Sequence, residues 1–563
     1  MTVSLGTPLI TSWSDIPWHL AEANVHSLQR RIYRAEQQGH RRKVKSLQRL
    51  LLRSLSAKLL ATRRVTQDNQ GKKTPGIDGV ASLEPEQRWK LALNLNIQRQ
   101  AQPVRRIWIP KLGTEEKRPL GIPTIADRAT QALVKLVLEP QWEARFEPNS
   151  YGFRPGRSCH DAIEAIFQEI RYKAKYVLDA DITKCFDRID HQALLDKIDT
   201  FALLRRTIKG WLKAGVMDGG QLFPNEAGTP QGGVLSPLLM NIALHGLEKC
   251  VEEAFPKTRR TDGKKERWTP AVIRYADDLI VLHRDLEVIK KSKEVIAEWL
   301  AGMGLELKSS KTFVSHTLEE YEGRVGFDFL GFTVRQFRVG KHHTARNGQG
   351  KPLGFKTLIK PSNRKVKAHH AQLAGIFERS RTAHQLILIA ELNPRIRGWA
   401  NYYRTVVSKA TFSKLDDRMY SALRHWTRRR HPGKSASWIV ARYWRMPRWD
   451  FGTKDIILVR HTRTRIVRHV KIPGRKSPYD GDWLYWASRW GHYPKVGLLL
   501  AWLLEKQKGR CAYCRRLFLP GDDLIERHHE DRDRSNNNRS NIQLLHRHCH
   551  DAVHRHGRAA ENP

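Results

Sequence analysis

Tyr275-Ala276-Asp277-Asp278 sets two adjacent carboxylates between two apolar runs, Ala271-Val272-Ile273 before them and Leu279-Ile280-Val281-Leu282 after. Apolar, β-branched stretches around a short polar centre read as a strand, turn, strand hairpin. Like charges at its tip repel, and a divalent cation that prefers hard oxygen ligands, such as Mg²⁺, would neutralise them. Two such ions about 4 Å apart can activate a 3′-hydroxyl and stabilise a leaving pyrophosphate. Aspartate is also common in solvated turns, so the tetrapeptide alone leaves both readings open. A third carboxylate is needed to bridge two ions. Tyr176-Val177-Leu178-Asp179-Ala180-Asp181 offers one, an apolar strand running into Asp181. Using it requires a fold that brings this distant strand beside the hairpin.

A second chemistry is written near the C-terminus. Cys511-Ala512-Tyr513-Cys514 and His546-Arg547-His548-Cys549 are two halves with the same spacing. Cys511, Cys514, His546 and Cys549 together make a Cys₃His set suited to a closed tetrahedral structural Zn²⁺ site, which would hold together a module too small for a large core. His528-His529 and Asn541 lie between the halves, and His550 and His554 follow them. A closed site has no need of these extra imidazoles, and His550 and His554 share one helical face.

Several elements must position these groups. A chain of 563 residues is too long for one core and reads as three or four domains. Residues 14–63 carry long helix-like stretches, 66–80 a polar Gly-containing loop, and 103–335 alternating β-rich and helical runs of a mixed α/β unit. Residues 341–440 hold 21 Lys and Arg against 4 Asp and Glu, with apolar residues spaced for helices that bury one face. Residues 441–500 stay basic and Trp-rich. The formal net charge of +43 would make a compact chain repel itself, so a polyanionic partner is the natural inference. No apolar run reaches the roughly 18 residues of a membrane span, and Met1 to Trp18 lacks the pattern of a secretory signal, which points to an intracellular, cytoplasmic protein with no membrane partner. Six cysteines are too few for a disulfide framework.

Five blocks in order carry a resemblance: Arg118-Pro119-Leu120-Gly121-Ile122-Pro123-Thr124, Tyr151-Gly152-Phe153-Arg154-Pro155-Gly156-Arg157-Ser158, Asp181 to Asp187, Gly228-Thr229-Pro230-Gln231-Gly232-Gly233, and Tyr275 to Asp278. In them the chain resembles the reverse transcriptase/maturases encoded by bacterial group II introns. The resemblance implies a right-hand polymerase, α/β and α multidomain. Its parts would be an N-terminal extension and fingers (1–150), palm (151–335), helical thumb or maturase domain X (336–440) and DNA-binding region (441–500). Asp181, Asp277 and Asp278 would hold two Mg²⁺, Phe186 would exclude a ribose 2′-hydroxyl, and Arg118, Gln231 and Gly232 would close over dNTP and template. Lys311 resembles a further palm cation. Arg397, Trp399, Tyr402, Tyr403 and Arg404 match the thumb signature that helps grip intron RNA.

Residues 501–563 resemble a zinc-stabilised ββα-metal HNH endonuclease. That likeness makes His529 the general base, His528, His550 and His554 the ligands of a divalent metal such as Mg²⁺, and Asn541 the residue orienting the loop. The loop after His529 lacks the usual Pro and Gly-Gly turn, and a histidine stands where the third zinc cysteine is usual. The implied activity is a cycle: the protein binds its intron RNA, promotes splicing, nicks double-stranded target DNA and extends the new 3′ end into cDNA.

Overall fold

The computed structural model describes residues 3–4, 9–98, 100–110, 115, 117–261, 264–445, 449–494, 496–518 and 525–558. Its N-terminal part is helical. Trp18–Gln37, Arg41–Arg53 and Leu55–Arg63 pack on the long helix Ile125–Arg145. In the helix Arg41–Arg53 the residues Val44, Leu47, Leu51 and Leu52 point inward while arginines line the outer face, the expected split of an amphipathic helix.

Eight strands then build two four-stranded sheets. They are β1 (Val104–Pro110), β2 (Lys117–Ile122), β3 (Tyr176–Asp181), β4 (Val216–Asp218), β5 (Gln221–Phe223), β6 (Ala271–Tyr275), β7 (Asp278–His283) and β8 (Phe313–His316). The sheet orders are β2-β1-β4-β5 and β6-β7-β3-β8. The first sheet draws its parallel β1–β4 pair from positions more than a hundred residues apart, with Val104 opposite Val216. A division into fingers up to residue 150 and palm after it therefore cuts through this sheet.

The second sheet is antiparallel and sandwiched. One face of β7 (Leu279, Val281) joins a core with the helices Ile125–Arg145 and Ser236–Ala243, while the other (Ile280, Leu282) joins a second core that reaches the C-terminal third. Burial on both faces explains why the sequence there is continuously apolar.

A three-stranded antiparallel sheet, β9 (Phe327–Phe329), β10 (Phe332–Arg338) and β11 (Phe355–Pro361), leads into the helices Asn363–Arg379, Gln385–Tyr403 and Lys409–Arg430. The mixed α/β, multidomain architecture expected from the sequence is present.

The segment expected as a DNA-binding region at 441–500 does not stand apart. Its second half returns to the first half of the chain. Asp161, fully buried, accepts from His469 Nε2, Ile472 N and an Arg489 NH2 group, each at 2.9 Å. Tyr479 donates to Glu139 Oε2 at 2.8 Å. Trp486 lies so close to Gly156 that a Cβ there would meet its ring at 2.5 Å. The hairpin β12 (Ile525–His529) and β13 (Ile542–His546), followed by the helix Arg547–Arg558, closes the described chain. Among the described residues no helix is long and apolar enough to cross a membrane.

Candidate active site

The first candidate centre forms where β3 ends beside the β6–β7 hairpin. Antiparallel register places Asp278 directly opposite Asp181, and Tyr275 pairs with Asp278 across the two-residue turn Ala276-Asp277. Ala276 has φ +59°, the positive value that a tight hairpin asks of its first central residue. A non-glycine residue held there costs on the order of 1 kcal/mol, and strain of this kind persists only where the surroundings fix it. The surroundings do so. The buried Arg274 donates to the Ala276 carbonyl and to Asn241 Oδ1, both at 3.1 Å. Asn241 in turn donates to the Gly152 carbonyl at 2.8 Å. Gly152 packs so tightly on the turn that a Cβ would overlap the Ala276 amide nitrogen. Arg274 and Asn241 escaped the sequence reading because a single arginine in an apolar strand gives no periodic signal.

The electrostatics are those of crowded anions. Burial, then Asp277 and Asp181, push the Asp278 carboxyl up to about 7. Burial also raises Asp277, opposed by a hydrogen bond from its own backbone, reinforced by Asp181, and relieved by Arg118 and Lys311. A divalent cation would neutralise such a cluster, and the donor set is all oxygen, which suits Mg²⁺. Lys311, at the end of a short 3₁₀ turn, reaches Asp181 Oδ2 at 2.7 Å and so belongs to the centre. Asp179, two residues before Asp181 on the same strand face, is a fourth carboxylate raised to about 7 by burial, Asp278 and Asp181. Nothing in the sequence separates it from ordinary strand residues.

Around this centre the other expected residues converge. Phe186 follows the left-handed Lys184 (φ +43°) in the short helix Cys185–Arg188. The Phe186 carbonyl accepts from Thr229 N at 2.5 Å, and Gly228 packs on the same backbone, where a Cβ would meet the Phe186 oxygen at 2.5 Å. The Gln231 carbonyl accepts from Gly121 N at 2.6 Å, and Gly232 (φ +113°) lies against Gly121. The 228–233 loop thus bridges the Phe186 turn to strand β2, which carries the exposed Arg118.

The thumb signature divides. Arg397 and Arg404 are exposed. Tyr403 is buried, and its hydroxyl donates to the Gly331 carbonyl at 3.1 Å. Tyr402 donates to Leu330 O at 3.1 Å, and Trp399 stacks on His369 with ring centroids 4.7 Å apart. Tyr403 is thus packed among the described residues, and Trp399 and Tyr402 pack the helix Gln385–Tyr403 on its neighbours.

The second candidate centre is in the C-terminal hairpin and helix. Donor atoms of Cys511, Cys514, His546 and Cys549 all lie within 4.8 Å of one another. Cys514 Sγ and Cys549 Sγ stand 3.4 and 4.0 Å from His546 Nδ1. A tetrahedral Zn²⁺ with S and N ligands has S···N edges of roughly 3.5 Å, so the set fits such an ion.

His528, His550 and His554 form another group within 4.8 Å. His528 Nδ1 is buried with no hydrogen-bond partner among the described residues, and His550 Nδ1 pairs with Glu526 at 3.0 Å. An imidazole nitrogen so placed beside two more imidazoles makes a donor set that suits a divalent cation. The group opens on a cleft of about 420 Å³ lined also by His529, Arg527, Arg532 and Arg534. Asn541 ties the loop after His529 together. It donates to Asp531 Oδ1 and Asn536 O, each at 2.8 Å, and accepts from Asp531 N.

Comparison with known proteins agrees with this geometry. Residues 109–334 match the family model described as reverse transcriptase (RNA-dependent DNA polymerase), 13–95 that of the N-terminal domain of reverse transcriptase, and 366–444 the group II intron, maturase-specific domain. The region that holds the first centre is therefore of the reverse transcriptase class. Protein YkfC of Escherichia coli K12 is 33% identical over 51% of this chain and 82% of its own length. The group II intron-encoded protein LtrA of Lactococcus lactis is 40% identical over 54% of this chain and 60% of its own. An uncharacterized 91 kDa protein in a cob intron of Schizosaccharomyces pombe is 28% identical, over 55% and 44%. The chain belongs to the family of group II intron-encoded reverse transcriptase/maturases.

Proposed function

We propose that the chain is an RNA-directed DNA polymerase that also promotes splicing of the intron RNA encoding it, and that its C-terminal module nicks target DNA to supply the primer. The observation that carries the polymerase reading is the register placing Asp278 opposite Asp181 with Asp277 at the adjoining turn. These three would hold two Mg²⁺, which supply activation of the primer 3′-hydroxyl and neutralisation of the departing pyrophosphate. Arg118 meets the triphosphate of the incoming dNTP from the fingers sheet, as a guanidinium suits phosphate oxygens. The Phe186 ring stands against the sugar and leaves no room for a 2′-hydroxyl. Gln231 and Gly232 present backbone to the template–primer, and Lys311 holds Asp181 in place. Fingers, palm and thumb follow the divisions expected from the sequence, with β4 and β5 assigned to the fingers.

Splicing rests on the thumb. Its exposed cations, Arg397 and Arg404 among them, grip the phosphates and shape of a folded RNA. In the C-terminal module Cys511, Cys514, His546 and Cys549 would hold a structural Zn²⁺. His528, His550 and His554 would hold a second divalent ion, whose chemistry is to stabilise charge on the scissile phosphate and leaving oxygen. His529 Nε2 faces Asn537 Oδ1 at 3.4 Å, which leaves Nδ1 to take the proton of an attacking water. Asn541 keeps the loop that carries these groups in register.

Primer extension on an RNA template tests the polymerase reading. Asp277→Asn with Asp278→Asn should abolish dNTP incorporation and leave RNA binding intact, and continued synthesis by the pure variant would sink the assignment. For the nuclease, His529→Ala should stop nicking of target duplex without changing primer extension; nicking at the wild-type rate would place the base elsewhere.

A further inference from the structure

Phe153 is out of place for a large aromatic residue. It is 50% exposed, and its φ is +59°, a conformation that bulky L-residues rarely adopt. Nothing about it is loose. On one side Gly152 is jammed against the catalytic hairpin and its carbonyl is held by Asn241. On the other, the buried Arg154 forks onto both Glu143 oxygens at 2.8 and 2.9 Å and donates to the Glu147 and Ser150 carbonyls. Two anchored neighbours thus force the backbone of Phe153 into an unfavourable region and aim its ring outward. Strain held this firmly is a marker of function.

The ring meets Phe186 edge to face, centroids 6.3 Å apart and planes at 74°. That is a favourable aromatic geometry. The Phe186 backbone is itself fixed by the Thr229 amide and by Gly228. What the backbone leaves to Phe186 is rotation of its side chain, which is flanked by the Phe153 ring on one side and by the core it packs on.

We propose that Phe153 is a positioning residue for sugar selection, propping the Phe186 ring in the orientation that excludes a ribose 2′-hydroxyl. The proposal rests on the reading of Phe186 as the sugar gate. A pocket wall rejects an added hydroxyl only as far as it cannot give way, so selectivity depends on what stands behind the wall.

The test is single-nucleotide incorporation on an RNA template with dNTP and rNTP, comparing the wild type with Phe186→Ala, Phe153→Gly, Phe153→Ala and Phe153→Tyr. Glycine accepts a positive φ without strain, so Phe153→Gly removes the ring while sparing the fold. Phe186→Ala should lose most of the dNTP preference. Phe153→Gly and Phe153→Ala should lower the dNTP-to-rNTP ratio of kcat/KM about tenfold, through tighter use of rNTP, with kcat for dNTP unchanged. Phe153→Tyr should keep the wild-type ratio. An unchanged ratio in Phe153→Gly beside a lowered one in Phe186→Ala would overturn the prop alone. An unchanged ratio in Phe186→Ala would overturn the gate, and the prop with it. A wild type that incorporates neither nucleotide would overturn the polymerase reading.

Discussion

Asp278 shows how function at one residue opposes stability. Burial and the neighbouring Asp277 and Asp181 raise its carboxyl to about 7. The sign follows from linkage: between the unfolded value near 4 and about 7 the folded state binds the extra proton, so stability falls as pH rises through that window and stays low above it. Asp278→Asn removes the charge and keeps the shape. It should therefore stabilise the metal-free protein by on the order of 2 kcal/mol at pH 8, with the gain fading toward pH 4, while polymerisation is lost. Thermal melts of the two proteins across pH in chelator check this; a lower Tm for the variant at pH 8 would show that the repulsion is already relieved. Lys311 belongs to the same balance. A lone lysine in sequence reads as surface charge; the resemblance alone marked it as a palm cation, and the 3₁₀ turn carries it to Asp181.

The hairpin is the element on which placement depends, and its mechanical support is Gly152. All three atoms nearest to an added Cβ are backbone atoms of Tyr275 and Ala276, so none can rotate away. Gly152→Ala should push the tip by several tenths of an ångström. Since misplacing reacting groups by an ångström can cost about a hundredfold, kcat for dNTP addition should fall ten- to a hundredfold with little change in KM, while the overpacking lowers Tm by a few degrees. Pre-steady-state primer extension would show it, and an unchanged rate would mean the tip tolerates displacement. The hairpin and β3 were legible because apolar runs bracketed their carboxylates. The 3.6-residue pattern likewise marked the N-terminal helices. The β4–β5 pair was not legible, being three-residue strands whose parallel partner β1 lies more than a hundred residues upstream. Nor was the inward turn of Tyr403, since helical spacing alone does not say whether a ring meets a neighbour or a ligand.

Across the whole molecule, residues 469–493 tie the end of the chain to its beginning, and Asp161 is the knot. Its buried carboxylate takes bonds from His469, Ile472 and Arg489 as well as Ser158 at the start of its own helix. These are single polar bonds between distant positions, which leave no periodic trace in a sequence. Burial alone would raise this carboxyl, but His469, Arg489 and the Ile472 amide hold it well below the ordinary range. A depressed value contributes stability above the unfolded pKa of about 4 that is lost as pH falls further. Asp161→Ala strips the partner from Arg489 and His469, each only about a fifth exposed, and should cost about 3 kcal/mol at neutral pH. Because the same core joins Tyr151 beside the hairpin to Trp486 and on to Leu544 and Cys549 in the C-terminal module, the loss should reach both ends. Limited proteolysis should open the 469–493 segment, and primer extension and nicking should weaken together on warming. Cys511→Ser, which disturbs only the Cys₃His set, should impair nicking and leave primer extension intact. If Asp161→Ala weakened nicking alone, the segment would be a tether, not a structural bridge between the two centres.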